Sequence, residues 1–181
     1  VLQRGLNSAL PQDILARAVE SVGIEFHAQR SAARKQYSYY FQQGSCALPH
    51  LEPYSWWIHK RLDTEAMQKG LDFLKGEHDF KPFQAAGSKP GPTVRSVLEA
   101  EVTRERVAFP GHAAAEFVRV RVLGTGFLKQ MVRGIAGTLL QIGEGRRPSE
   151  DFQRILSTGD RAQVGPTAPA RALWLERVWY G

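Results

Sequence analysis

The apolar positions of this chain follow two different periods, and each period marks an element. Phe127/Leu128, Met131/Val132, Ile135/Ala136 and Leu139/Leu140 recur as pairs every four residues. That spacing predicts a helix from Phe127 through Leu140 with one stripe packed on a core. Arg133 falls near the edge of the stripe, where a guanidinium can leave the core for a partner or for water. Phe117-Val118-Arg119-Val120-Arg121-Val122 instead alternates residue by residue. Residues 116–123 therefore predict a strand with one buried face and one basic face.

The same reading extends along the rest of the chain. Gln36-Tyr-Ser-Tyr-Tyr-Phe-Gln42 is an aromatic-rich strand pattern. Residues 44–60 form a loop carrying Pro49, Pro53, Trp56 and Trp57. Asp63 or Thr64 caps a helix whose apolar face is Met67, Leu71 and Leu74 and which Gly76 ends. Residues 85–93 are a Gly/Pro/Lys loop, and 94–107 a strand. Pro148-Ser149-Glu150 opens a short helix through Leu156, and Leu173 to Tyr180 is a closing strand. Asp13 to Val22 fits a strand or a short helix, with Pro11 favouring an extended start. This order of elements argues a mixed α/β sandwich with helices on one face of the sheet.

Composition narrows the class. A length of 181 residues suits one ordinary domain or two small ones, and 43% hydrophobic content supports a real core. The net charge of +6 favours a polyanionic partner, either nucleic acid or an acidic membrane surface. Cys46 is the only cysteine, which excludes an internal disulfide and a cysteine zinc cluster. A reduced compartment, cytosol or organellar matrix, fits that usage. No apolar run reaches membrane-spanning length, and no signal-peptide pattern opens the chain. The chain opens on Val1 and reads at once as the interior of a domain, the expectation for a fragment or a processed chain.

Little of the usual catalytic vocabulary is present. His27, His50, His59, His78 and His112 form no HxH or HExxH pair. There is no GxSxG elbow and no phosphate-binding loop. Gly124-Thr125-Gly126 is either a tight turn or an anion cradle ahead of a helix. Basic residues do cluster, with Arg30, Arg34 and Lys35 beside Tyr37 and Tyr39, Lys81 and Lys89 at the Gly/Pro loop, and Arg146 and Arg147 further on. Cations interleaved with aromatics suit RNA, although solvated faces over core aromatics fit them as well.

Several motifs taken together resemble the TruA-type tRNA pseudouridine synthases. They are Arg4-Gly-Leu-Asn-Ser-Ala-Leu-Pro-Gln-Asp-Ile14, Phe26-His27-Ala28, Ser31-Ala32, Tyr37-Ser38-Tyr39 and Gly76-Glu-His-Asp-Phe80. Arg95, Gly126-Phe127-Leu128, Met131-Val132-Arg133, Gly137-Thr138-Leu139, Asp160-Arg161 and Thr167-Ala168-Pro169 follow in order. The resemblance implies a ferredoxin-like (RRM-like) α/β fold, a mixed, mainly antiparallel sheet with helices packed on one face. It implies two such halves sharing an extended sheet, with the active-site cleft between them. Residues 1–30 would be the remnant of the N-terminal half and 31–181 the C-terminal domain. It further implies a homodimer that isomerises uridine in the anticodon arm of tRNA, without cofactor, metal or membrane, in the cytoplasm or an organellar matrix.

The family's nucleophile is an aspartate in an Arg-Thr-Asp motif. No such motif occurs here, and Asp13, Asp63, Asp72, Asp79, Asp151 and Asp160 lie in other contexts. The resemblance therefore implies that this chain alone is inactive and contributes the supporting groups. Arg133 is expected to pair with the aspartate, Tyr37 to stack on the target base and assist proton removal, and Leu173 to press on the base. Phe26, His27, Ala28, Gln29 and Arg30, together with Gly87, Ser88, Lys89, Pro90 and Gly91, are expected to touch tRNA. Two positions depart from the family pattern: Gln29 stands where an arginine often follows Phe-His-Ala, and Ala172 where a glycine often precedes Leu173. A non-catalytic RNA-binding or ribonucleoprotein subunit on the same fold is the alternative, and an upstream Arg-Thr-Asp motif discriminates the two.

Overall fold

The structure, a computed structural model, describes residues 1–108 and 114–181. His112 lies outside the described residues. The chain divides into two compact units, Val1–Ser31 and Ala32–Gly181.

The first unit holds one helix, α1 (Leu2–Ala9), and an irregular return. Gln3 and Asn7 are one helical turn apart and so share a face. The Asn7 side-chain amide donates to the Ala16 carbonyl at 3.0 Å while its oxygen accepts from the Ala16 N–H at 2.7 Å. The Gln3 amide donates to the Ala16 and Arg17 carbonyls at 3.1 and 2.7 Å. Backbone groups satisfied by side chains need no ladder or helix. Residues 13–22 accordingly form neither the strand nor the helix that their apolar content suggests.

In the second unit the described strands are β1 (Ala32–Gln43), β2 (Trp56–Ile58), β3 (Gly76–Asp79), β4 (Val94–Val107), β5 (Ala115–Gly124) and β6 (Leu173–Tyr180). They form one sheet in the order β2-β1-β5-β4-β3, with β6 also pairing β1. The β1–β2 pairing is parallel and the others are antiparallel. Helices α2 (Thr64–Asp72), α3 (Met131–Gly143) and α4 (Asp151–Thr158) complete the unit. Tyr39 and Phe41 of β1 and Val118, Val120 and Val122 of β5 point into one core. There they meet Met67 and Leu71 of α2, Met131, Ile135 and Leu139 of α3, and Phe152 of α4. The period of two on the strands and the four-residue pairing on α3 thus address the same interior. The sheet is mixed and mainly antiparallel, with α2 and α3 packed on one face, as the sequence led us to expect.

Local chemistry sets the helix ends. Asp63 caps α2 by accepting from the Glu65 and Ala66 N–H groups, each at 3.0 Å. α2 stops at Asp72, ahead of Gly76, whose φ of 98° opens β3 rather than closing the helix. α3 starts at Met131, four residues later than the apolar stripe suggests. Gln130 has φ 65°, in the left-handed region, and a helix cannot run through it. Phe127 and Leu128 continue the stripe from a turn, with the Met131 N–H bonded to the Leu128 carbonyl at 3.1 Å.

Candidate active site

Arg133 stands in the first turn of α3 and is half-buried. Its Nε donates to the Ala168 carbonyl at 2.6 Å. The Ala168 N–H returns a bond to the Arg133 carbonyl at 3.1 Å. Residues 164–169 therefore lie along α3 as a strap. Its approach needs two glycines: a Cβ on Gly137 would stand 1.7 Å from the Pro166 carbonyl oxygen, and one on Gly165 would stand 2.8 Å from the Thr138 backbone. Thr138 Oγ1 accepts from the Gly165 N–H at 3.0 Å and donates to the Gly134 carbonyl at 2.9 Å. With Nε committed to Ala168, the Nη1/Nη2 edge of Arg133 makes no hydrogen bond to the described residues, and that edge suits end-on pairing with a carboxylate.

Tyr37 and Tyr39 project from the same face of β1. The Tyr39 hydroxyl donates to the Pro169 carbonyl at 2.9 Å, on the strap residue next to Ala168. Leu173, half-buried, pairs with Tyr39 at the start of β6. Tyr37 meets Phe127 edge-to-face, with ring centroids 5.1 Å apart at 82°. At Tyr37 the β1–β6 register slips, so that Gln36 faces Arg177 and Tyr37 faces Leu175. This bulge in β6 re-aims the local side chains. Burial pushes the Tyr37 phenol above its ordinary pKa, so it is neutral at pH 7. Arg133 and Leu173 are thus linked through Ala168, Pro169 and Tyr39, while Tyr37 rests on Phe127.

The other expected contacts are placed differently. Phe26, His27, Ala28, Gln29 and Arg30 form an exposed turn in the first unit. His27 organises it, with Nδ1 accepting from the Gln29 and Arg30 N–H groups at 3.2 and 3.3 Å. The loop from Gly87 through Ser88, Lys89 and Pro90 to Gly91 is largely exposed. It hangs from the approach to α3, because the Ala85 N–H bonds the Lys129 carbonyl at 2.9 Å. Gly124-Thr125-Gly126 closes β5 against β4: the Thr125 N–H is taken by the Ser96 carbonyl at 3.1 Å, and a Cβ on Gly124 would stand 2.7 Å from that oxygen.

The face of the sheet opposite the helices is less basic than its alternation suggests. Arg121 pairs with Glu99 and Glu101 of β4 at 2.8 and 3.0 Å. Arg119 pairs with Glu105 at 3.1 Å and with Glu176 at 2.6 Å. Acidic partners contributed by neighbouring strands neutralise this face. It also carries an apolar groove of about 360 Å³ lined by Tyr40, Leu51, Tyr54, Val107, Phe117 and Trp174. The acids of that groove, Glu105 and Glu176, are committed to Arg119.

The aspartates of the second unit have structural partners. Asp63 caps α2, Asp72 pairs with Lys75 at 2.7 Å, and Asp79 accepts from the Lys81 N–H at 2.9 Å. Asp151 pairs with Arg147 and Arg154 at 2.5 and 2.7 Å, and Asp160 accepts from the Ala162 N–H at 2.8 Å. Among the described residues no three His, Cys, Asp or Glu side chains gather as a metal site requires, and no helix is long and apolar enough to cross a membrane. Sequence reasoning assigned no role to Tyr39, Gly137, Thr138, Gly165 or Pro169. Their signal was present as Gly137-Thr138 and Thr167-Ala168-Pro169, two short motifs whose meaning needs the tertiary contact between them.

Residues 72–181 match the family described as tRNA pseudouridine synthase. The chain is 38% identical over 180 residues to the tRNA pseudouridine synthase A of Leuconostoc citreum, covering 99% of this chain and 66% of that protein. It is 38% identical over 180 residues to that of Maridesulfovibrio salexigens, covering 99% and 64%. It is 35% identical over 179 residues to that of Thermoanaerobacter sp. strain X514, covering 99% and 70%. The chain spans about two thirds of the length of these relatives.

Proposed function

The chain belongs to the tRNA pseudouridine synthase A family, and from that premise we propose that the complete protein converts uridine to pseudouridine in the anticodon arm of tRNA, with this chain supplying the arginine side of the site. The net change breaks the N1–C1′ bond and forms a C5–C1′ bond. The hydrogen on C5 leaves as a proton and N1 takes one up. The conversion is redox-neutral and needs no co-reactant. In this reading residues 1–30 end the N-terminal half and 31–181 form the C-terminal half. Two copies work together where tRNA is found, in the cytoplasm or an organellar matrix.

One observation carries the reading. The five aspartates of the Ala32–Gly181 unit all cap a helix or turn or pair with a cation, while Arg133 is pinned by Nε and presents its other edge. This supports a nucleophilic aspartate supplied from outside this unit. Arg133 holds that carboxylate ionised and aimed. Tyr37 stacks on the target base as a neutral phenol, and Leu173 presses on the base. Phe26 to Arg30 and the Gly87–Gly91 loop meet the tRNA backbone.

The test uses tRNA carrying tritium on uridine C5. The complete protein should release tritium to water with time, and the 181-residue chain alone should release none. Binding without release by the complete protein would support a non-catalytic RNA-binding module instead. Release by the chain alone would place the nucleophile inside it.

A further inference from the structure

Two successive strap carbonyls are held from opposite sides. Ala168 O accepts from Arg133 of α3 at 2.6 Å, and Pro169 O accepts from Tyr39 of β1 at 2.9 Å. Ala168 precedes a proline, which favours extended backbone there, and Pro169 has φ −53°. The two carbonyls are therefore parts of one stiff unit. Tyr39 and Ala168 are fully buried, so water does not compete for these bonds. Burial raises the Tyr39 pKa far above its ordinary value, opposed by the charges of Arg133 and Arg171. Tyr39 is a neutral hydrogen-bond donor close to Arg133. Further along α3, Thr138 Oγ1 takes the Gly165 N–H at 3.0 Å, at the start of the strap.

We infer that Tyr39 is a positioning residue for Arg133: by fixing the Pro169 carbonyl it sets the Ala168 carbonyl, and through that the direction in which the Nη1/Nη2 edge of Arg133 points. The inference rests on the reading of Arg133 as the carboxylate's partner. Tyr39 touches neither base nor nucleophile in this scheme. Its ring packs against Phe41 and Trp56, at centroid distances of 5.0 and 6.5 Å, and Tyr39→Phe keeps that ring while deleting one oxygen. Thr138→Val loosens the strap from its other anchor, and Thr138→Ser keeps the hydroxyl.

The test measures single-turnover rates and tRNA Kd for variants of the complete protein. A small misdirection of a catalytic group costs about ten- to a hundredfold in rate. Tyr39→Phe and Thr138→Val should each lose about that much, with Kd within about twofold of the parent, and Thr138→Ser should recover the rate. In an Arg133→Lys background, which lacks Nε, Tyr39→Phe should cost little more, because the two changes break one linkage. Parental rates for Tyr39→Phe or Thr138→Val beside a slow Arg133→Lys would overturn the positioning role and leave the site intact. A fully additive loss in the Arg133→Lys background would overturn it too. A parental rate for Arg133→Lys itself would bring down the reading of Arg133 on which the inference stands.

Discussion

Gly137 approaches Pro166 so closely that a Cβ on the glycine would stand 1.7 Å from the proline's carbonyl oxygen. No rotamer relieves such a contact, because the Cβ is fixed to the helix backbone and the oxygen is itself backbone. Gly137→Ala should therefore push the strap off α3. Overpacking of this kind costs about 1–3 kcal/mol, and the Arg133–Ala168 bonds are lost with it. Denaturant unfolding of this chain measures the cost. A midpoint unchanged from the parent would mean that the strap is not pressed against the helix.

Burial raises the Tyr37 pKa, and the proposed role of the residue is to stack on the target base and assist proton removal. Tyr37→Phe should keep most tRNA affinity and lose turnover in the complete protein, while Tyr37→Leu should lose both. Base–aromatic stacking is worth about 1–3 kcal/mol per base, which sets the expected drop in affinity for the leucine variant. Full turnover by the phenylalanine variant would show that the hydroxyl takes no part in the chemistry.

The network on the opposite face makes stability depend on pH. Burial alone would raise the Glu176 pKa, but hydrogen bonds from Gln36, Tyr40 and Ser38 and the charge of Arg119 bring it below its ordinary 4.5. Its contribution is present above pH 4.5 and is lost as the pH falls through the folded value. Burial, with the bond to Glu176, pushes the Tyr40 pKa from 10.0 to about 12. That contribution is complete below pH 10 and fades as the pH rises toward 12. In thermal melts across pH, Glu176→Gln should flatten the acid limb and Tyr40→Phe the alkaline limb. Limbs that keep their slopes in these variants would assign the pH dependence to other groups.

Paired arginines make poor phosphate contacts. Arg121 already holds Glu99 and Glu101, so Arg121→Ala should leave tRNA affinity and its salt dependence nearly unchanged. Replacing Lys89 of the exposed loop should instead lower the slope of log K against log salt by about one. Equal slopes for the lysine variant and the parent would show that Lys89 makes no phosphate contact.

Elements were legible where one physical rule dominates. The strand read from apolar alternation over 116–123 is β5, Ala115–Gly124, and residue type narrowed the cap of α2 to Asp63 or Thr64, of which Asp63 caps it. The start of α3 was not legible, because Gln130 adopts a left-handed backbone that glutamine does not advertise. Residues 13–22 read as regular structure because nothing local reveals that Gln3 and Asn7 take the backbone groups of Ala16 and Arg17. The Arg119/Arg121 face read as basic because its acids lie on other strands. Arg133 could be singled out from its place at the edge of the stripe together with the motifs around it. Its tie to Ala168 could not, since the two are 35 residues apart.

Arg133 is the most direct test of the account. In this chain Arg133→Ala removes a charged donor from the buried Ala168 carbonyl. It should cost about 1.5–3 kcal/mol of stability, so folding must be followed beside turnover. In the complete protein the decisive measurement is the single-turnover rate of Arg133→Lys at saturating tRNA. Lysine keeps the positive charge but lacks the fork that grips a carboxylate at two points. The account predicts a rate lowered by about a hundredfold or more with tRNA Kd nearly unchanged. A parental rate for a folded Arg133→Lys variant would contradict it and make Arg133 a structural anchor for the strap.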